Sequence, residues 1–336
     1  MNIGKSLWVG CLATSLALAA AQANAQQKWD MVNEYGATTL MGRADKYFGD
    51  LVKESTGGAV QVVNQYGGAL GIKSNSMLKS VGTGAVQLGN FPIQAASGDS
   101  HIFSISNLPF IVGSPKDAFT LQDVMRPYIG SAVAKQGARL LYLSNWPSAG
   151  IWSKTPVASM ADMKGAKIRT NDVLSTEVFK RTGAFPLQIS WSDVIPQIQT
   201  GALSMVNTSS AGGISIKMWE MLPAYTDVGM MLAANAAIIN EEAFQKLPKD
   251  AQNKILDAAA KTEQWVRQEF LAEVAKDEVT MKQNNVKLLT VDQAKPAFLA
   301  ELQALSKSAI DDWLSKTGAD GRALLNEYMK RTGKKL

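Results

Sequence analysis

One cysteine and one histidine occur in a chain of 336 residues. Cys11 sits inside an N-terminal apolar stretch, so the remainder has no thiol for a disulfide, a nucleophile or a cysteine metal site. His101 is the sole imidazole, in the polar stretch SGDSHIF (97–103). A histidine-based metal centre is therefore not expected, and a Ser-His-Asp triad would have to use that one residue without any G-x-S-x-G elbow to carry the serine. No catalytic residue, metal or cofactor is expected. The glycine-rich run 67–71 lacks the lysine and spacing of a phosphate loop and reads as a turn. The formal charge is only +5 and is spread along the chain, with no basic cluster interleaved with aromatics, so nucleic acid is not an expected partner. Beyond the N-terminus no run approaches the roughly 18 apolar residues of a membrane span.

The first residues, MNIGKSLWVGCLATSLALAAAQANAQQ, are of another kind. Lys5 precedes an apolar run from Leu7 to about Ala20, and Ala23-Asn24-Ala25 follows. That order is the charged region, hydrophobic region and small-x-small site of a secretory signal peptide, with cleavage expected after Ala25. The run is short for a bilayer anchor, and Cys11 comes too early for a lipid acceptor. Export of a cysteine-free chain fits the bacterial periplasm. About 310 mature residues exceed one typical core and predict two domains.

Alternating elements follow. Strand patterns at 28–35, 59–66 and 85–91 are separated by helical patterns at 39–56 and 74–84, a start expected to build a mainly parallel sheet under helices. A helix over about 116–136 leads into an apolar strand at 138–146. The pattern then restarts: GAKIRT as strand, LSTEVFKRTG as helix, FPLQIS as strand, SDVIPQIQTG as helix and LSMVNTS as strand. Residues 226–240 read as one long strand running through both halves. Residues 249–285, rich in Ala, Glu, Lys and Gln without Gly or Pro, read as one helix about 50 Å long.

Several segments carry a resemblance in their order and spacing: YGGALG (66–71), NLPFIV (107–112), SMADMKGAKIRT (159–170), IQTGALSMVNTSS (198–210) and KLPKDAQNKILDAA (246–259). With the long helix and two α/β halves, they make the chain resemble the solute-binding proteins of tripartite ATP-independent periplasmic (TRAP) transporters, the DctP-like family, over essentially its mature length. The resemblance implies an α/β, two-lobe periplasmic binding protein of type II-like architecture with a long helix spanning both lobes. The expected parts are a signal peptide at 1–25, an N-terminal lobe at 26–145 with later return segments, a C-terminal lobe at 146–240, and a helical segment at 241–336 bracing both. It implies a periplasmic receptor, not an enzyme. A small organic acid would bind between the lobes of a monomer and pass to TRAP permease membrane subunits for secondary active uptake.

The resemblance also implies a role for Arg169. An arginine at a strand end either pairs with its own fold or receives a carboxylate from solution, and in this family the KIR arginine binds the solute's carboxylate. Guanidinium stays charged and offers a planar fork that lysine lacks. By position in the family pattern, Glu34, Tyr35, Asn90 and Phe91 are expected to line the first lobe's face of the cleft. Trp191 would pack over the solute or in the core. Asn207, Thr208 and Ser209 would bind solute oxygens, cap a helix, or both. Glu34 could meet a solute hydroxyl or amino group, or pair with Lys73 or Arg43. Where sugar-acid binders of the family carry a second arginine this chain has Ala149, flanked by Trp146 and Trp152. That departure favours a smaller or more apolar monocarboxylate packed on tryptophan. The family's "DG" in the second-lobe stretch is replaced by Ser204-Met205. Two rivals stay open: a receptor of an ATP-driven importer, which would lack the long helix, and a periplasmic hydrolase, which would need a nucleophile–base pair or metal.

Overall fold

The computed structural model describes residues 26–290, 293 and 296–335; the expected signal peptide and its cleavage site lie outside them. Among the described residues, eleven strands fall into two sheets. The first has the order β2-β1-β3-β10-β4, from β1 (Gln27–Asn33), β2 (Val60–Gln65), β3 (Leu88–Pro92), β4 (Ala138–Asn145) and β10 (Ala234–Asn240). The second has the order β11-β9-β5-β8-β6-β7, from β5 (Ala149–Ser153), β6 (Lys167–Thr170), β7 (Phe185–Gln188), β8 (Met205–Ser209), β9 (Ala224–Thr226) and β11 (Lys287–Leu289).

The first sheet is parallel through β1, β2 and β3, as the opening alternation predicts, and then turns mixed. β10 runs antiparallel to both β3 and β4. β3 and β10 are buried along their whole length, so neither shows an apolar–polar alternation, and their buried Asn90, Asn235 and Asn240 are hydrogen-bonded. The stretch 226–240 is not one strand. It divides into β9 in the second sheet and β10 in the first, because the chain must leave one sheet to reach the other. Residues 234–240, expected in the second lobe, thus lie in the first sheet.

Among the described residues one long crossing between the sheets runs from β10 to β11 by way of a helix, and two short ones run from β4 to β5 and from β9 to β10. The short ones hydrogen-bond to each other: the amide of Trp146 donates to Ala233 O (2.8 Å) and that of Ala149 to Met231 O (2.9 Å). These two crossings therefore form a short antiparallel ribbon. The helix Lys249–Gln283 runs 35 residues, about 52 Å at 1.5 Å per residue. It packs on helix Leu40–Ser55 and β4 of the first lobe, and on helix Ser210–Ser215 of the second. Arg43 pairs with Glu273 (2.9 Å) on one side, and Ser210 Oγ donates to Asp277 (2.7 Å) on the other. A last helical stretch, Pro296–Thr332, breaks direction at Gly318, whose φ of 61° suits glycine. No helix among the described residues is long and apolar enough to cross a membrane.

Candidate functional site

Arg169 is the third residue of β6, between β7 and β8, and its side chain is 3% exposed. Its Nε donates to Ile189 O (2.9 Å) and one terminal nitrogen to Asn207 O (3.3 Å). Its guanidinium carbon stands 5.4 Å from the Trp191 ring centroid. No carboxylate of the described residues forms an ion pair with it. The two acidic groups nearby, Asp172 and Glu34, lie outside ion-pair contact with it, and Asp172 Oδ2 has no hydrogen-bond partner among the described residues. Asp172 accepts the Ser175 amide and hydroxyl as the N-cap of helix Val173–Arg181. Glu34 accepts Ser74 N (2.8 Å), Ser74 Oγ (2.5 Å) and Ser192 N (2.8 Å). Burial lowers the Arg169 pKa, while the Tyr35 hydroxyl and the charges of Glu34 and Asp172 oppose it. A group with so high an intrinsic pKa stays a cation.

Arg169 faces a cavity of about 230 Å³ between the lobes, walled on the first-lobe side by Tyr35, Gln94 and Ser74 and on the second by Asn171, Gln188 and Trp191. A smaller space of about 30 Å³ continues past Trp146 and Ala149 to Asn207, Thr208 and Ser209. Three aromatic rings make a wall. Tyr35 stacks on Trp191 at 5.4 Å and lies against Trp146 at 4.7 Å. The Gln94 side chain borders both spaces, and its buried Oε1 has no hydrogen-bond partner.

Seven of the ten residues singled out in the sequence come together at these walls: Arg169, Tyr35, Trp146, Trp191, Asn207, Thr208 and Ser209. Ser209 also caps helix Ser210–Ser215 by accepting from Gly212 N, and the Asn207 amide donates to Gly150 O (3.0 Å). Three do not line the walls. Phe91 is wholly buried in β3. Asn90 gives its amide to Asp45 instead (2.6 Å). Glu34 spends its oxygens on serine donors from both lobes rather than on Lys73 or Arg43, because Lys73 pairs with Asp193 and Arg43 with Glu273. Trp152 is fully buried, its indole N–H directed at Ser209 O and its ring against Gly213, where a Cβ would meet it at 2.2 Å. His101 opens a 3-10 turn, and its carbonyl accepts from the Trp313 indole. Gln94 was missed; a glutamine two residues past a strand end carries no signal that sets it apart from a surface amide.

Residues 31–316 match the family described as bacterial extracellular solute-binding protein, family 7 (DctP). The chain belongs to this family. It is a DctP-like TRAP solute-binding protein, with the two-lobe α/β fold of that group. It is 30% identical to DctP7 of Bordetella pertussis, an extracytoplasmic solute receptor binding pyroglutamic acid, with a TM-score of 0.86 covering 90% of this chain and 99% of that one. A TRAP solute-binding protein from a marine metagenome, described as specific for pyroglutamate, is 28% identical with a TM-score of 0.86, covering 91% and 99%. A solute-binding protein of Albidiferax ferrireducens is 25% identical over 204 residues, 60% of this chain; the chain spans 60% of that relative's length.

Proposed function

We propose that this DctP-like protein is a periplasmic receptor for a small cyclic monocarboxylate of the pyroglutamate type, which it delivers to TRAP permease subunits, and that it catalyses no reaction. The observation that carries the reading is a buried guanidinium at the wall of an interlobe cavity, with no carboxylate among the described residues in ion-pair contact with it. A cation held at 3% exposure costs desolvation free energy, which a bidentate anion from solution offsets.

Size and charge narrow the class. Arg169 is the only basic side chain on either wall, so one carboxylate is matched, and Ala149 supplies no second cation for a dicarboxylate. The rings of Tyr35, Trp146 and Trp191 suit a compact ring better than a chain of hydroxyls. The unpartnered Oε1 of Gln94 is available to accept from a lactam N–H. The two relatives at 28% and 30% identity that are described with pyroglutamate support the same choice. Contacts to both lobes favour the closed state, so the solute shifts a hinge equilibrium.

A thermal-shift screen tests this. With L-pyroglutamate at 100 times its Kd, linkage adds about 2.7 kcal/mol and raises Tm by several degrees; D-glucuronate and ectoine give smaller shifts. Arg169→Ala abolishes the pyroglutamate shift and leaves the unliganded Tm within a few degrees. A wild-type protein that pyroglutamate does not stabilise overturns the solute class.

A further inference from the structure

A buried carboxylate behind the aromatic wall belongs to neither cavity. Asp45, on helix Leu40–Ser55, is fully buried and accepts three hydrogen bonds: from Asn33 Nδ2 (2.7 Å), Asn90 Nδ2 (2.6 Å) and Tyr142 OH (2.6 Å). Two of these donors continue toward the site. Asn33 Oδ1 accepts the backbone N–H of Tyr35 (2.9 Å). Asn90 Oδ1 accepts Asn235 Nδ2 (2.9 Å), and Asn235 Oδ1 accepts the indole N–H of Trp146 (2.7 Å). Two arms thus leave one carboxylate and end on the main chain of Tyr35 and the indole of Trp146, whose rings touch each other at 4.7 Å in the cavity wall.

The direction of both arms is forced. An ionised carboxylate only accepts, and a peptide N–H or an indole N–H only donates. An asparagine between them can satisfy both ends only with its NH2 toward Asp45 and its oxygen toward the cavity wall. Reversing one amide sets donor against donor inside a dry core, where an unmet polar group is costly.

We propose that Asp45 is a positioning residue for solute binding: through Asn33, Asn90 and Asn235 its charge fixes the polarity of the buried amides that hold Tyr35 and Trp146 against the solute. The inference rests on the reading of the cavity as the solute site. It predicts a behaviour that a plain structural carboxylate lacks. The titratable groups facing Asp45 are Tyr142 and Tyr66, both with pKa values raised by burial and so neutral throughout the physiological range. Burial raises the Asp45 carboxyl itself to about 6, against the lowering effect of its three donors. A raised pKa means a stabilising contribution that is full below the unfolded value and fades as pH rises through about 6. Solute affinity follows the charged form and moves the other way, since bonds to a neutral acid are weaker.

The experiment is calorimetric titration of L-pyroglutamate at pH 8 and pH 5, with the solute's own carboxyl ionised at both. For the wild type, Kd rises several-fold at pH 5 while the contribution of Asp45 to Tm rises, read as the difference in Tm from Asp45→Asn. For Asp45→Asn, Kd at pH 8 is at least tenfold higher than wild type and its pH dependence is flat. Should that variant not fold, Asn235→Ala severs only the Trp146 arm and gives the same loss at pH 8. A variant that binds within twofold of wild type at pH 8, or a wild-type Kd that does not change, overturns the proposal. If the wild type does not bind pyroglutamate at all, the functional reading fails separately, and the indole N–H resonance of Trp146, assigned with Trp146→Phe, then decides. It shifts between pH 8 and pH 5 in the free protein if the relay operates; a resonance that stays fixed overturns the proposal.

Discussion

A guanidinium at a strand end has two of its nitrogens tied to main-chain oxygens, Ile189 O and Asn207 O, before any solute arrives. The fork is pre-oriented, and little rotamer freedom remains to be lost on binding. Lysine at this position keeps the charge but cannot hold both carbonyls and a carboxylate together. Arg169→Lys is expected to raise the pyroglutamate Kd about 100-fold, roughly 2.7 kcal/mol, with an unchanged fold by circular dichroism. At this scale the sequence was informative where chemistry is rare. The chemistry of Arg169 narrowed its role to an internal or an external anion, and the family resemblance of the KIR segment then pointed to the solute. The sequence misled where burial decides. Asn90 and Glu34 have the right side chains for solute contact, yet each finds stronger partners nearby, Asp45 for one and the Ser74 and Ser192 donors for the other. No residue pattern reveals which acceptor a buried amide will meet first.

Between elements, the two lobes are fastened at the cleft and along the brace. Glu34 follows β1 and takes the amide of Ser192, in the turn after β7; beside it Lys73 pairs with Asp193 at 2.6 Å. These contacts join the two lobes at the cleft. Their weights differ. The Lys73–Asp193 pair is more than two-fifths exposed on both sides, and Lys73→Ala should change the solute Kd by less than fivefold. Glu34 is buried and accepts three donors. Glu34→Gln turns an NH2 toward a donor and lowers the closed population, so Kd should rise about tenfold in calorimetry, or roughly 1.4 kcal/mol.

The brace is pH-sensitive. Burial first, then the nearby charge of Glu273, raises Asp277 to about 7. Its contribution is therefore present below the unfolded value near 3.9 and lost as pH rises through about 7. Asp277→Asn, which keeps an acceptor for Ser210, should gain Tm relative to wild type at pH 8 and not at pH 5 in differential scanning calorimetry. The long helix itself was plain in the sequence, since 35 residues without Gly or Pro leave little alternative. The division of 226–240 between two sheets was not, because a continuous apolar run does not mark the place where a strand changes sheets.

For the whole molecule, the two-lobe plan could be read from a repeated alternation of elements, while the mixed direction of the sheets could not, since strand polarity depends on where the chain returns. That return creates the ribbon of two crossings, hydrogen-bonded at Trp146 to Ala233 and at Ala149 to Met231. The ribbon joins the lobes beside the cavity, and one of its residues, Trp146, also forms the cavity wall. Any swing of the lobes must then alter the surroundings of that indole, so the protein reports its own closure optically. Emission from the free and pyroglutamate-bound protein should differ in intensity and wavelength. Trp146→Phe and Trp191→Phe should each reduce that difference, whereas Trp265→Phe, stacked on Tyr47 away from the cleft, should leave it intact.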